Sequence, residues 1–103
     1  MRYLILKSHF RFLIDKFYFR VELKRTIGFV MISYINSKIR IIVSGDDNIK
    51  IIVSDVNSLG TYYDAIEYSD EFYVNGNYCQ KAAAAAAWVK TNLKNLENKI
   101  INS

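Results

Sequence analysis

Two nearly identical six-residue runs, IRIIVS at 39–44 and IKIIVS at 49–54, flank the residues GDDN at 45–48. Branched apolar residues favour strands, and Gly, Asp and Asn favour turns, so this stretch is predicted to be a β-hairpin. A three-residue loop would give the hairpin one apolar face, made of the pairs Val43 with Ile49, Ile41 with Ile51, and Ile39 with Val53. We interpret the repeat as the symmetry of one hairpin rather than as a solenoid.

An alternating segment precedes this hairpin. Residues 17–24 read FYFRVELK, with apolar residues at every second position, which is typical of a half-buried strand. Residues 27–35 are rich in β-branched and aromatic residues. Because the connection at 24–26 is short, the two segments are predicted to pair with each other.

The C-terminal part combines a turn signal with a long helical stripe. Asn75-Gly76 is typical of a type I′ turn, whose two central residues need positive φ, and it predicts that 72–74 pairs with 77–79. Apolar residues then follow at alternating spacings of three and four, the period of one helix face. The stripe consists of Cys79, Ala82, Ala86, Val89, Leu93, Leu96 and Ile100. It predicts a helix of about 20 residues that covers a sheet.

Two stretches leave their secondary structure open. Residues 8–16 fit a strand or a helix, and residues 61–72 fit a short helix or an irregular strand. The other segments predict an α+β fold, an antiparallel β-sheet of about five strands with one long C-terminal α-helix packed across it. With 103 residues and no proline, the chain is expected to form a single domain over residues 1–103.

Composition limits the classes of function. One cysteine and one histidine cannot supply a structural zinc site of four side chains, so no metal and no cofactor are expected. The longest apolar run, 82–89, is far shorter than the roughly 20 residues that span a bilayer, so no membrane partner is expected. Four isolated glycines exclude a P-loop. A single cysteine cannot form a disulfide within the chain, and a cytoplasmic protein is therefore expected.

Few residues qualify for catalysis. His9 and Cys79 lack the sequence contexts of nucleophilic enzymes, so we expect a structural or surface histidine and a buried cysteine. Asp15 followed by Glu22 and Lys24 resembles the pattern with which metal-dependent nucleases hold a divalent ion. Strand alternation alone also explains Glu22 and Lys24 on a solvent face. A nuclease is thus the third hypothesis, and no catalytic residue is assigned.

The formal charge of +4 is unevenly divided along the chain. Residues 1–50 carry ten Lys and Arg against four Asp and Glu, a charge of +6. Residues 51–80 carry five acidic residues and no basic residue, and residues 81–103 carry four Lys against one Glu. These blocks either form separate surfaces that orient partners or neutralise one another across the fold, and the sequence leaves both open.

The acidic block is rich in tyrosine and supports the leading hypothesis. Tyrosine supplies contact area at interfaces, and carboxylates attract basic surfaces. The predicted partner-binding residues are Tyr62, Tyr63, Asp64, Glu67, Tyr68, Asp70 and Glu71. We expect a small non-enzymatic protein that binds a larger protein partner with a basic surface. The short, motif-poor sequence is typical of phage or virus accessory proteins, for example inhibitors of host nucleic-acid machinery.

The basic block supports an alternative, direct nucleic-acid binding. Cations neutralise phosphates, and aromatic rings stack on unpaired bases. The predicted residues are Arg11, Lys16, Tyr18, Arg20, Lys24 and Arg25. Phe17 and Phe19 share the phase of Val21 and are expected in the core. A homodimer formed through the helix stripe is a further alternative, but the sheet already needs that stripe as its cover.

Overall fold

The computed structural model describes residues 2–25, 30–45, 47–56 and 65–101. Two short helices precede a sheet, and a 3₁₀ turn and a long helix follow it. The helices are α1 (Arg2–His9), α2 (Phe12–Asp15) and α3 (Tyr78–Ile101), and the 3₁₀ turn is Asp70–Phe72. The strands are β1 (Arg20–Arg25), β2 (Met31–Ile35), β3 (Ile39–Ser44), β4 (Lys50–Asp55) and β5 (Ile66–Tyr68).

The five strands form one antiparallel sheet in the order β1-β2-β3-β4-β5, so each strand pairs with its neighbour in sequence. With α3, this arrangement confirms the predicted α+β fold. The pairing of the 17–24 and 27–35 segments is also confirmed, although β1 begins only at Arg20. The β1–β2 register shifts between Val21 and Leu23, which makes Glu22 the extra residue of a bulge.

The predicted β3–β4 hairpin is present, but its predicted register is wrong by two residues. Val43 pairs with Ile51 instead of Ile49, and the ladder ends at Ser44 and Lys50. Gly45 turns away with φ +137°, its N–H donates to the Val30 carbonyl, and its own carbonyl accepts the Tyr78 hydroxyl. The connection between β3 and β4 is therefore longer than the three residues predicted. Because side chains alternate with a period of two, every residue keeps its predicted face.

The sheet packs against α3, which contacts both β4 and α1. The predicted stripe is buried from Ala82 to Ile100, together with Ala85. The 24 residues of α3 correspond to about 36 Å, the length of the longest dimension of the molecule, 35 Å. The small alanine side chains let the helix lie close to the sheet, and the larger stripe residues fill the core beside them.

The predicted hairpin at Asn75-Gly76 is wrong, because this sequence leads into α3. Neither residue has positive φ, so the type I′ geometry is absent here. Instead, Asn77 Oδ1 accepts the Gln80 N–H at 2.8 Å while Gln80 Oε1 accepts the Asn77 N–H at 2.8 Å. This reciprocal capping box starts the helix. It outweighs the turn signal because a long buried helix depends on it.

The two open stretches each adopt the structure that buries their apolar residues. Residues 8–16 are mainly helical, and α1 and α2 with their connection bury Leu6, Phe10 and Leu13 in the same core as α3. The 65–72 part of the second stretch holds β5 and the 3₁₀ turn, whose Phe72 is buried. Residues 61–64 lie outside the described ranges.

Candidate functional site

The segment between α2 and β1 exposes two aromatic rings. Tyr18 is 86% exposed and Phe17 is 37% exposed, whereas Phe19 is only 2% exposed. The Phe19 N–H also donates to the Leu13 carbonyl at 2.8 Å. Phe19 was correctly predicted in the core, but the prediction that Phe17 lies there is wrong. Regular alternation does not extend to Phe17, because the strand starts only at Arg20.

Tyr18 has a backbone conformation that bulky residues rarely adopt. Its φ is +60°, in the left-handed region, which costs a non-glycine residue on the order of 1–3 kcal/mol. The anchored neighbour Phe19 turns the chain so that the Tyr18 ring projects into solvent. The packing of Phe19 in the core stabilises this arrangement, and the large apolar ring of Tyr18 gains little from burial within the fold.

Two exposed cations flank this ring in sequence. Lys16 and Arg20 lie two residues before and two residues after Tyr18, and both are exposed. Within the described residues, no carboxylate lies within 4 Å of either cation. Arg11 is exposed as well, but its Nε donates to Asp15 at 3.1 Å. We call Arg11, Lys16, Phe17, Tyr18 and Arg20 the Tyr18 surface.

The Tyr18 surface contains four of the six residues predicted for nucleic-acid binding. Of the remaining two, Lys24 and Arg25, only the backbone in β1 is described. Phe17 is the residue that sequence reasoning missed. The signal that could have found it is the helical pattern of 8–16, since a helix ending near residue 15 leaves 16–18 as an exposed connection.

A groove of about 470 Å³ opens beside Tyr18. Its lining comes from the segment before β1 and from the β2–β3 turn, and consists of Phe17, Tyr18, Arg20, Ile35, Asn36 and Ser37. Asn36 fixes the turn, because its Oδ1 accepts the N–H groups of Lys38 at 2.7 Å and Ile39 at 2.8 Å. Ile35 is 7% exposed and supplies an apolar base to the groove.

Glu22 is held by the sheet. Arg40 donates to both of its carboxylate oxygens, at 2.8 and 3.0 Å, and the Ser33 hydroxyl donates to it at 3.2 Å. The hydrogen bond from Arg40 is the main cause that lowers the pKa of Glu22 below 4.5; burial opposes it, and the Ser33 hydrogen bond and the charges of Arg40 and Arg20 add to it. Glu22 therefore ties the bulge of β1 to β3 across β2.

This pairing bears on the nuclease hypothesis. Asp15 is bound to Arg11 within one turn of helix, and Glu22 is bound to Arg40 on the sheet. The side chain of Lys24 lies outside the description. Among the described residues, no group of three or more His, Cys, Asp and Glu side chains is arranged to hold a metal ion. The geometry thus adds no support to a nuclease site.

Three of the four described residues of the predicted acidic site have contacts within the fold. Glu67 pairs with Lys50 at 3.2 Å, the Tyr68 ring lies 4.7 Å from the Trp88 ring, and Glu71 accepts the Ser69 N–H at 3.1 Å. Asp70 is exposed. The predicted members Tyr62, Tyr63 and Asp64 lie outside the described residues.

The ion pairs also bear on whether the charge blocks neutralise each other. Three of the described pairs join residues within the basic block, and one joins that block to the helix, Lys38 with Glu97. Lys50 with Glu67 joins the basic block to the acidic one. Ion pairs between described residues thus occur both within the basic block and between it and the rest of the chain.

A thiol and an imidazole meet at the start of α3. His9 Nε2 lies 3.4 Å from Cys79 Sγ, a contact between residues 70 positions apart in sequence. Cys79 is exposed, so its predicted burial is wrong. It occupies the first turn of α3 beside the last residue of α1, before Ala82, the first buried residue of the stripe. No local sequence signal predicts this pair.

Among the helices in the described ranges, none combines the length and the apolarity required to cross a bilayer. The comparisons with known proteins leave the chain without a relative on which a function could be based: no family model, no curated protein and no solved structure matches it.

Proposed function

We propose that the protein binds single-stranded nucleic acid through the Tyr18 surface. The observation that carries the proposal is Tyr18 itself, an aromatic ring that is 86% exposed between two exposed cations, Lys16 and Arg20. A ring in this setting can stack on a base while the flanking cations neutralise the adjoining phosphates. We therefore rank nucleic-acid binding, the alternative hypothesis from the sequence, above binding of a basic protein partner, the leading hypothesis.

Single strands are favoured over duplexes for a geometric reason. The faces of paired bases are covered by their neighbours in the stack, whereas unpaired bases offer a face to an aromatic side chain. Phe17, partly exposed next to Tyr18, enlarges the available aromatic area. The proposal includes a cytoplasmic location, in agreement with the single cysteine of the chain.

The charge of the surface supports the same ligand. The basic block has a formal charge of +6, and among the described residues no carboxylate lies within 4 Å of Lys16 or Arg20. Lys16 and Arg20 therefore present positive potential around the ring. Such a potential attracts polyanions at a distance and loses its effect as salt is added.

The test is a salt series with labelled single- and double-stranded oligonucleotides of equal length. Fluorescence anisotropy should show tighter binding to the single strand and an affinity that falls steeply between 50 and 200 mM salt, values chosen because this range separates electrostatic binding well. Absence of binding at the lowest salt, or equal affinity for the duplex, would contradict the proposal.

A second candidate function is binding of a basic protein partner, and a different observation favours it. Tyr73 and Val74 are 63% and 36% exposed directly after the acidic residues Asp70 and Glu71. With Phe72 they border a cavity of about 250 Å³. Exposed apolar area beside carboxylates suits a partner surface that is both apolar and basic.

The test of this second candidate uses the protein as bait and compares it with a bait carrying Asp70→Ala and Tyr73→Ala. A partner captured at equal efficiency by both baits would contradict it. A partner lost only from the variant bait, while oligonucleotide binding of that variant is unchanged, would support it.

A further inference from the structure

We infer that the groove beside Tyr18 accepts a single unpaired nucleobase of the bound strand. The inference rests on the proposed function and names the part of the ligand that the site recognises. The observation behind it is a groove of about 470 Å³ that is lined jointly by residues of the Tyr18 segment and of the β2–β3 turn.

The lining of the groove matches the chemistry of a base. Phe17 and Tyr18 supply aromatic area, and the nearly buried Ile35 supplies an apolar base. Asn36 and Ser37 of the β2–β3 turn add polar residues to the lining. A base has apolar faces and a polar edge, so it satisfies both kinds of wall at once. A phosphate alone would leave the aromatic and apolar parts unused.

Arg20 adds a cation to the groove. Its side chain lines the groove, is exposed, and has no described carboxylate within 4 Å. A guanidinium in this place can pair with the phosphate attached to the bound nucleotide or stack on the base plane. The site therefore offers separate contacts to the base and to the backbone of one nucleotide.

Both walls are positioned before any ligand arrives. On one side, Phe19 is buried and its N–H is bonded to Leu13, which sets the direction of Tyr18. On the other side, the turn is closed by two bonds to Asn36 Oδ1 and by the Asn36 N–H donating to the Ile39 carbonyl at 3.1 Å. Little ordering is then needed on binding, which favours affinity.

The experiment compares a homopolymeric thymidine oligonucleotide with the same oligonucleotide carrying abasic residues at its central positions. The abasic strand keeps every phosphate and removes only bases. We expect about a tenfold loss of affinity at constant salt, since one stacked base contributes roughly 1–3 kcal/mol by substitution. A second readout is the fluorescence of 2-aminopurine in the strand, which stacking on Tyr18 quenches.

Two variants locate the effect in the groove. Tyr18→Asn removes the ring but tolerates positive φ, so it keeps the backbone, and it should bind intact and abasic strands equally. Ser37→Ala removes a hydroxyl group from a residue that lines the groove. It should weaken binding of the intact strand by a few fold and leave the affinity for the abasic strand unchanged. Tyr18→Phe, which retains the ring, should still bind the intact strand more tightly than the abasic strand.

The outcomes separate this inference from the proposed function. Salt-sensitive binding that is equal for intact and abasic strands would overturn the base-binding groove and leave nucleic-acid binding in place. Loss of 2-aminopurine quenching in Tyr18→Asn, with quenching retained in Tyr18→Phe, would support the groove. No binding of either strand at low salt would overturn both.

Discussion

Tyr18 and Tyr73 are two exposed tyrosines whose charged neighbours in the sequence have opposite signs. Tyr18 is 86% exposed between Lys16 and Arg20, and Tyr73 is 63% exposed just after Asp70 and Glu71. Their backbones differ as well, with φ +60° at Tyr18 and −62° at Tyr73. The ligands proposed for the two rings differ accordingly, because the charged residues beside each ring differ in sign.

The two regions also differ in how many of their charges are committed within the fold. Near Tyr73, Glu67 and Glu71 already have partners, whereas the cations beside Tyr18 have no described carboxylate within 4 Å. An unpaired charge is available to a ligand without the cost of first breaking an ion pair. This is why the Tyr18 surface is the stronger candidate.

Exchanging each tyrosine for asparagine tests most directly whether the two regions differ in nucleic-acid binding. We expect Tyr18→Asn to lower affinity for single-stranded DNA by at least tenfold, because stacking is lost, and Tyr73→Asn to leave it unchanged. Fluorescence anisotropy at fixed salt measures both. Thermal unfolding should show Tyr18→Asn at least as stable as the unchanged protein, since asparagine tolerates the left-handed conformation better. Equal losses in the two variants would remove the distinction between the regions.

Removing single cations should give a smaller, salt-dependent effect. Arg20→Ala should lower affinity several fold at low salt and reduce the slope of log affinity against log salt by about 0.7, the value for one phosphate contact on a single strand. Lys50→Ala, at an exposed cation that pairs with Ser44 at the end of β3 farthest from the β2–β3 turn, removes the same charge away from the Tyr18 surface. An equal change of slope in this control would mean that net charge, not the surface, drives binding.

Substitutions of Glu22 and Glu67 measure how much each of their ion pairs contributes to the free energy of unfolding. Glu22→Gln weakens the pair with the nearly buried Arg40 and should cost about 1 kcal/mol, a value kept low because Glu22 is 38% exposed. Glu67→Gln affects a pair whose side chains are 52% and 55% exposed, and should cost less than about 0.5 kcal/mol. Denaturant unfolding at neutral pH compares them.

The pH dependence of stability follows from the lowered pKa of Glu22. A carboxyl whose pKa is lower in the folded state stabilises the fold above its unfolded pKa, near 4.5, and loses that contribution as pH falls through the folded value. The unchanged protein should therefore lose more stability than Glu22→Gln between pH 5 and more acidic solution. Parallel pH profiles of the two proteins would contradict the assignment.

The smallest expected effect concerns Cys79. Because the thiol is exposed, a thiol-specific reagent should label it in the folded protein without denaturant, and nucleic-acid affinity should stay unchanged since Cys79 is not part of the Tyr18 surface. Mass spectrometry and anisotropy on the same sample measure both. Labelling that requires denaturant would show that the residue is buried after all.

Most of the fold could be predicted because its signals are local. The repeated IRIIVS-type runs indicate two strands and their shared face, and the three-four spacing indicates α3 with its buried side. The error at Asn75-Gly76 arose where two local signals competed. Asn75-Gly76 favours a hairpin in isolation, but the capping box of Asn77 and Gln80 and the burial of α3 determine its conformation.

The candidate site was only partly predictable. Arg11, Lys16, Tyr18 and Arg20 were identified from composition and phase, but Phe17 was assigned to the core because alternation was extended beyond the start of β1. The groove wall at Asn36 and Ser37 could not be found from sequence, since it depends on the β2–β3 turn facing the Tyr18 segment.

By itself, the sequence determined the secondary structure of β2, β3, β4 and α3, and the faces that β3, β4 and α3 bury, because apolar periodicity acts between near neighbours. Only the tertiary structure decided which charges and polar groups meet: Glu22 with Arg40 across β2, His9 with Cys79 over 70 positions, and Lys16 and Arg20 with no described carboxylate in reach. Such contacts depend on strand register and helix docking, and these are set by the packing of the whole core rather than by any short stretch of residues.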